Sequence, residues 1–137
     1  MLFRSKTPLT ENWNGDFAYA GSQTNLDLGS GPVILGNSLA LTVLSNMLTC
    51  GGIISDSGLN YQLLVNGPGA LTLSGLNTYT GGTVLNSGKL NINNGGDGGA
   101  DSAIGTGTFT INGGTIDNTS GAEVQFQRAI PEAWNTS

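Results

Sequence analysis

The chain has 137 residues, of which 23 are glycine and only 9% are charged, and its nine acidic and four basic side chains give a net charge of −5. It contains one cysteine and no histidine, which excludes a structural zinc site and a nucleophile activated by histidine. The few basic residues are scattered, which argues against nucleic acid as a partner. No apolar run is long enough for membrane insertion, and the length allows one domain over residues 1–137.

Short runs of alternating apolar and polar residues follow one another along the chain, and each predicts a β-strand with one apolar face. In chain order the clearest runs are 32–36, 70–74, 89–93 and 108–112. Glycine pairs between them indicate turns. Helical patterning is nearly missing, because Gly, Thr, Asn and Ser are abundant and disfavour helix interiors. The sequence therefore predicts an all-β fold.

The apolar positions of these strands recur with a period of about 19 residues, which is close to the range of known repeat architectures. One column holds Leu71, Leu90 and Phe109, a second holds Leu73, Ile92 and Ile111, and Val33 and Leu35 lie two steps earlier in the same phases. The polar residues between the columns, Thr72, Asn91 and Thr110, are predicted to face solvent. Glycines keep the same period at Gly31, Gly69, Gly88 and Gly107, with Cys50 in the intermediate place.

A fixed period of this size, with several β segments in each repeat, is typical of a β-solenoid. One coil cannot bury its apolar face alone, so successive coils stack and equivalent positions form columns through the interior. The period predicts about seven coils of roughly 19 residues in a parallel β-helix.

The segment 69–83, with the sequence GALTLSGLNTYTGGT, resembles the signature of the autotransporter-associated β-strand repeat, also called the passenger-associated transport repeat. Weaker similarity extends over residues 12–122. The resemblance implies a right-handed parallel β-helix on the surface of a bacterial cell or outside it, with an adhesive or scaffolding role.

The two ends of the sequence resemble each other, since a Phe, a Pro and a Trp-Asn pair recur in the same order. Open strand edges at solenoid ends pair readily with other chains, and a head-to-tail contact that does not close gives a filament. We therefore predict an extracellular structural protein without enzymatic activity that stacks head-to-tail with itself. The predicted contact residues are Phe3, Pro8, Trp13, Phe126, Ile130, Pro131 and Trp134.

Two other functions fit the same pattern. The chain could be an adhesive repeat module cut from a longer surface protein, in which case host or surface glycans are possible partners. Polysaccharide lyases and hydrolases also use parallel β-helices, but they need paired carboxylates or a calcium cluster with a basic residue. Asp97 and Asp117 are separated by nearly one period, but neither has a basic residue in the matching phase, so no catalytic residue and no cofactor is predicted.

Two further features of the sequence each have two interpretations. Asp97 and Asp101, in the glycine-rich segment 95–101, approximate a calcium-binding repeat, and the other interpretation is a plain glycine-rich turn. Cys50 is either a small, partly buried thiol or the source of a disulfide between subunits.

Overall fold

The structure is a computed structural model that describes residues 8–135, which form 14 short strands and no helix. The strands are β1 (Glu11–Trp13), β2 (Phe17–Tyr19), β3 (Leu26–Asp27), β4 (Val33–Leu35), β5 (Leu39–Val43), β6 (Met47–Cys50), β7 (Ile54–Ser55), β8 (Leu63–Asn66), β9 (Ala70–Leu73), β10 (Thr83–Leu85), β11 (Lys89–Ile92), β12 (Phe109–Ile111), β13 (Thr115–Asp117) and β14 (Glu132–Trp134). Over these residues there is accordingly no helix with the length and apolar character of a membrane span.

The strands form three parallel sheets, which are the sides of a solenoid. Sheet A contains β1, β4 and β7; sheet B contains β2, β5, β8, β10, β12 and β14; sheet C contains β3, β6, β9, β11 and β13. Up to β9 the chain passes through the sheets in the order A, B, C, and each circuit is one coil; from β10 to β14 its strands alternate between sheets B and C. The six strands of sheet B correspond to about five turns. The predicted β-solenoid is confirmed, while its right-handed winding stays a prediction that the preference of parallel crossovers supports.

The coils differ in length, so the prediction of about seven equal coils is wrong. In sheet B, Thr83 pairs with Leu63 in one neighbouring coil and with Phe109 in the other. The second of these steps is clearly the longer, and both exceed the predicted period. Among the paired strands of the described residues, only β9 and β11 are offset by the predicted period. At a strand spacing of about 4.8 Å, five turns span about 24 Å.

The predicted apolar columns are half correct. Leu71 lies in register with Leu90, and Leu73 with Ile92. The third members, Phe109 and Ile111, belong instead to sheet B, where they pair with Thr83 and Leu85, and Val33 and Leu35 belong to sheet A. The cause is the longer coil after β11, which contains the glycine-rich segment and makes Ile116, not Phe109, the next partner of Leu90.

The interior column of sheet C that contains Leu71 and Leu90 has one residue from each of the five strands. Its members are Leu26, Leu48, Leu71, Leu90 and Ile116. The three central members are 0–1% exposed, whereas Leu26 is 43% and Ile116 is 44% exposed. Stacking thus buries the column except at its two ends.

Thr72 and Asn91 were expected to face solvent, but they are only 5% and 2% exposed. They are in-register partners on β9 and β11, and the Asn91 Nδ2 donates a hydrogen bond to the Thr72 hydroxyl at 2.9 Å. The Thr72 hydroxyl in turn donates to the Met47 sulfur at 3.0 Å. Polar groups on this face are therefore covered by their own neighbours in the adjacent coils.

The predicted glycine column is also only partly correct. Gly69 and Gly88 lie in adjacent coils, but Gly107 does not continue their line, and Cys50 pairs with Leu73 in an apolar column. A different set of glycines is packed closely. A Cβ on Gly52 would lie 1.8 Å from the Gly31 carbonyl oxygen, and one on Gly75 would lie 2.1 Å from that of Gly52. The sequence period did not indicate this second column, because its steps are unequal and both are longer than the period.

Candidate functional site

The middle of the signature segment, residues 74–82, forms a corner of the solenoid, where the chain passes beside β7 without making a regular strand. Asn77 is fully buried there. Its side-chain oxygen accepts a hydrogen bond from the Ile54 N–H of the preceding coil at 2.8 Å, and its Nδ2 donates to the Ala103 carbonyl of the following coil at 2.7 Å. One side chain thus joins three successive coils and satisfies two buried backbone groups.

Tyr79, in the same corner, is also fully buried. Its hydroxyl contacts the hydroxyl of Thr83, which donates to the Ile104 carbonyl at 2.9 Å. Because that bond uses the Thr83 proton, the Tyr79 hydroxyl is the donor of the pair. Burial raises the pKa of Tyr79 above its ordinary value, so the phenol stays protonated and holds the corner to the next coil.

Asp56 is the buried carboxylate of this corner and is 1% exposed. Its Oδ2 accepts hydrogen bonds from the Tyr61 N–H at 3.0 Å and from the N–H and hydroxyl of Thr80 at 2.9 and 2.7 Å, and its Oδ1 accepts from the Gly58 N–H at 3.0 Å. Burial works to raise the pKa of Asp56, but these hydrogen bonds outweigh it and hold the pKa below the ordinary value. A carboxylate so fully engaged stabilises the corner and is not free to act as a base.

The predicted contact residues divide between the two ends of the solenoid. Trp13 lies at the N-terminal end but is only 7% exposed, and its ring meets Phe17 edge to face with centroids 4.9 Å apart. Pro8 is exposed at the same end. Phe3 lies outside the described residues. Trp13 and Phe17 thus form an aromatic pair at the N-terminal end.

The other four predicted residues lie at the C-terminal end. Phe126 and Ile130 are partly buried against the core. Pro131 is exposed, and its carbonyl accepts a hydrogen bond from the Phe109 N–H at 2.7 Å. Trp134 is 60% exposed. Beside them a cavity of about 310 Å³ opens at this end, lined by Ile92, Ile116, Asp117, Asn118, Val124 and Phe126.

The similarity between the two ends does not mean that they occupy the same phase. Each tryptophan donates its indole N–H to a glutamate on its own strand, Trp13 to Glu11 at 3.0 Å and Trp134 to Glu132 at 3.2 Å. However, Trp13 lies in sheet A and Trp134 in sheet B. The similar sequences at the two ends therefore form the same local motif, but the two indole rings lie on different sides of the solenoid.

Asp117 has a basic neighbour that the sequence period did not predict. The Lys89 Nζ lies 2.7 Å from the Asp117 Oδ2 on the next strand of sheet C, and the two side chains are 41% and 44% exposed. The hydrogen bond from Lys89 is the main reason that the pKa of Asp117 lies below its ordinary value. The expectation of no basic residue beside this carboxylate is therefore wrong, although an exposed ion pair of this kind is a common feature of solvated sheet faces.

The calcium candidates lie in an exposed loop between β11 and β12. The Asp101 carboxylate accepts the Asp97 N–H at 3.0 Å, and the Asp97 carboxylate accepts the Gly99 N–H at 3.0 Å. The pair thus makes the hydrogen bonds expected of a glycine-rich turn. Residues 8–135 contain no cluster of three or more His, Cys, Asp or Glu side chains that could hold a metal; calcium binding by this loop stays a prediction.

Cys50 is a free thiol inside the solenoid and is 1% exposed. Burial is the main reason that the pKa of the Cys50 thiol rises to about 11. A buried, protonated thiol is a poor nucleophile. The geometry thus favours the buried thiol over a disulfide between subunits.

Sequence reasoning missed Asp56 and Asn77 as corner residues. Asn77 lies within the signature segment, so the motif included this residue. Its hydrogen bonds to the coils on both sides could not be predicted, because they involve backbone groups that are distant in sequence. Asp56 precedes a polar Ser-Gly turn like many surface aspartates. Asp56 is buried because Tyr61 and Thr80 lie against it. Neither the alternation nor the spacing of the sequence predicts that these two residues are its neighbours.

The geometry defines a class of protein, a three-sided parallel β-solenoid whose coils are joined by a polar corner motif. The family model of the passenger-associated-transport-repeat matches residues 63–92, which confirms the resemblance noted for the signature segment. The match runs from the start of β8 to the end of β11, while the wider similarity over 12–122 stays a prediction. No curated protein and no solved structure matches the chain.

Proposed function

We propose that this chain is a structural, non-enzymatic segment of a surface or secreted bacterial protein, and that it stacks head-to-tail with further copies into a filament. The observation that carries this proposal is the exposure of apolar side chains at both ends of the solenoid, Leu26 at the N-terminal end and Ile116 and Trp134 at the C-terminal end. Apolar groups and strand edges that are uncovered at both ends of a solenoid favour addition of another coil. The passenger-repeat match supports the surface or secreted location.

Electron microscopy and sedimentation of the purified chain test this proposal. We expect filaments of constant width in negative stain at neutral pH, and sedimentation coefficients that rise with protein concentration. A monomer that persists at high micromolar concentration would contradict stacking.

The family match also favours a second function, that of an adhesive module within a longer passenger-type chain. In that case the solenoid ends are covered by coils of the same polypeptide, and the sides of the rod make the functional contacts. Binding of the monomer to a panel of surface glycans, unaffected by substitution of Trp134, would favour adhesion over stacking.

A further inference from the structure

The interior column of sheet B ends in an exposed tryptophan. Its members are Phe17, Leu41, Val65, Leu85, Ile111 and Trp134, one from each strand of the sheet. The four central residues are at most 6% exposed, whereas Trp134 is 60% exposed. Because in-register partners of parallel strands point to the same side of a sheet, Trp134 occupies an inward position that lacks a covering coil.

The opposite end of the solenoid presents the first members of the same columns. Phe17 is partly buried and packs against Trp13. Leu26 is the first residue of the sheet C column, and Ile116 is the last. The sheet B column therefore begins and ends with an aromatic residue, Phe17 and Trp134. Sheet B has six strands and sheet C has five, so translation of one copy that adds β2 to β14 continues the sheet B column and leaves one open level in sheet C between Ile116 and Leu26 of the next copy.

We propose that the C-terminal end binds the N-terminal end of a second copy through parallel pairing of β14 with β2, so that Phe17 of the second copy lies against Trp134. This inference rests on the proposed stacking and adds the strands and the register of the junction. In this register the ring of Phe17, with Trp13 packed against it, covers Trp134. Large aromatic residues in such central positions contribute most to interface affinity.

An acidic side chain opposes this contact. Glu132 is the in-register partner of Phe109 and therefore has an inward position, and a covering coil would remove its carboxylate from water. Burial of a charge without a cationic partner is costly, and inward charges on an edge strand restrain pairing. The residue opposite Glu132 in the proposed register is Gly15, which has no heavy atom within 4 Å of a built Cβ and leaves room for the side chain.

Disulfide cross-linking tests the register directly. Ala18 and Asn135 are exposed, follow Phe17 and Trp134, and become outward-facing partners in the proposed junction. In-register strands place Cα atoms about 4.8 Å apart, within the range of a disulfide. The double variant Ala18→Cys and Asn135→Cys, made in a Cys50→Ala background, should give a ladder of covalent oligomers on oxidation. The variant Ala20→Cys with Asn135→Cys is the control, because it moves one partner to the next outward-facing position.

Two further variants test the side chains that the register brings together. Trp134→Ala should weaken association, whereas Glu132→Gln should strengthen it on the order of tenfold, about 1.4 kcal/mol, because it removes the charge and keeps a hydrogen-bond acceptor for the indole. Circular dichroism of each variant checks that the coils are intact.

The outcomes separate this inference from the function on which it rests. A ladder from the Ala18 pair with little product from the Ala20 pair supports the register. Equal cross-linking by both pairs, or dimers from Asn135→Cys alone through like ends, overturns it. Filaments that form without either cross-link would overturn this junction and leave stacking intact, whereas a monomer at every concentration overturns both.

Discussion

At the scale of single residues, the signature segment is a set of side chains that satisfy buried backbone groups between coils. Asn77 replaces two strand-to-strand hydrogen bonds at a corner where the regular ladder is interrupted. Tyr79 and Thr83 add a second link to the following coil. Buried polar groups left without partners are costly, so the motif needs these residue types at these positions.

Asp56→Asn should lower the free energy of unfolding by about 2 to 3 kcal/mol at pH 7, because the new amide group meets backbone N–H donors in place of a charged acceptor. Urea denaturation measures the change. Asp97→Asn is the matched control, since Asp97 is exposed and bonded within its own loop, and it should change stability by no more than about 0.5 kcal/mol.

The effect of Asp56 depends on pH with a definite sign. The pKa of Asp56 is lowered by folding, so its stabilisation is complete above the unfolded pKa of about 3.9 and is lost as the pH falls through the lower folded pKa. The stability difference between the parent and Asp56→Asn should therefore be constant from pH 7 to pH 5 and shrink below about pH 4. A difference that grows on acidification would contradict this assignment.

At the scale of elements, glycine permits close approach of coils where the sheet A strands begin. Gly31, Gly52 and Gly75 lie one above another, and a Cβ on Gly52 would overlap a backbone oxygen that cannot move without opening the strand pair. The strands are short and tolerate little separation, because each contributes few hydrogen bonds. The close packing of these glycines is therefore a requirement of the fold.

The corresponding prediction is that Gly52→Ala destabilises the protein by at least about 3 kcal/mol, since the added methyl group forces β4 and β7 apart. Gly15→Ala is the control, because open space surrounds that position. Thermal unfolding of dilute protein compares the two. Equal melting temperatures for both variants would show that the coils adapt to the methyl group and that the close packing is dispensable.

Sequence reasoning succeeded for the strands and failed where it assumed uniform spacing. Alternation located the strands that contain Leu71, Leu90 and Phe109, and the predicted period correctly paired the first two. Phe109 was assigned to the wrong sheet because the coil that follows β11 is longer than its neighbours. The alternation of apolar and polar residues gives no information on the length of a coil. Local pattern determines which residues point inward, whereas register depends on loop lengths and corner contacts.

At the scale of the whole molecule, the solenoid has no central core of the globular kind within its described residues. Each interior column is buried by the coils above and below it and by the columns of the other sheets across the interior, so the stability of one coil is expected to depend on its neighbours. The same arrangement leaves Ile116 and Trp134 uncovered at one end, which connects the fold to the proposed stacking. The sequence shows which aromatic and apolar residues lie near its C-terminal end, but the sheet in which each one lies required the structure, and their role as contact residues stays a prediction.

The measurement that tests the register most directly is an intrachain disulfide in a Cys50→Ala background. The structure pairs Val84 with Thr110 across β10 and β12, whereas the uniform period of the sequence pattern would pair Asn91 with Thr110. Oxidation of dilute Val84→Cys with Thr110→Cys should consume both thiols and give a monomer of altered gel mobility, and Asn91→Cys with Thr110→Cys should keep both thiols free. The opposite pattern would contradict the three-sided solenoid and the end contacts derived from it.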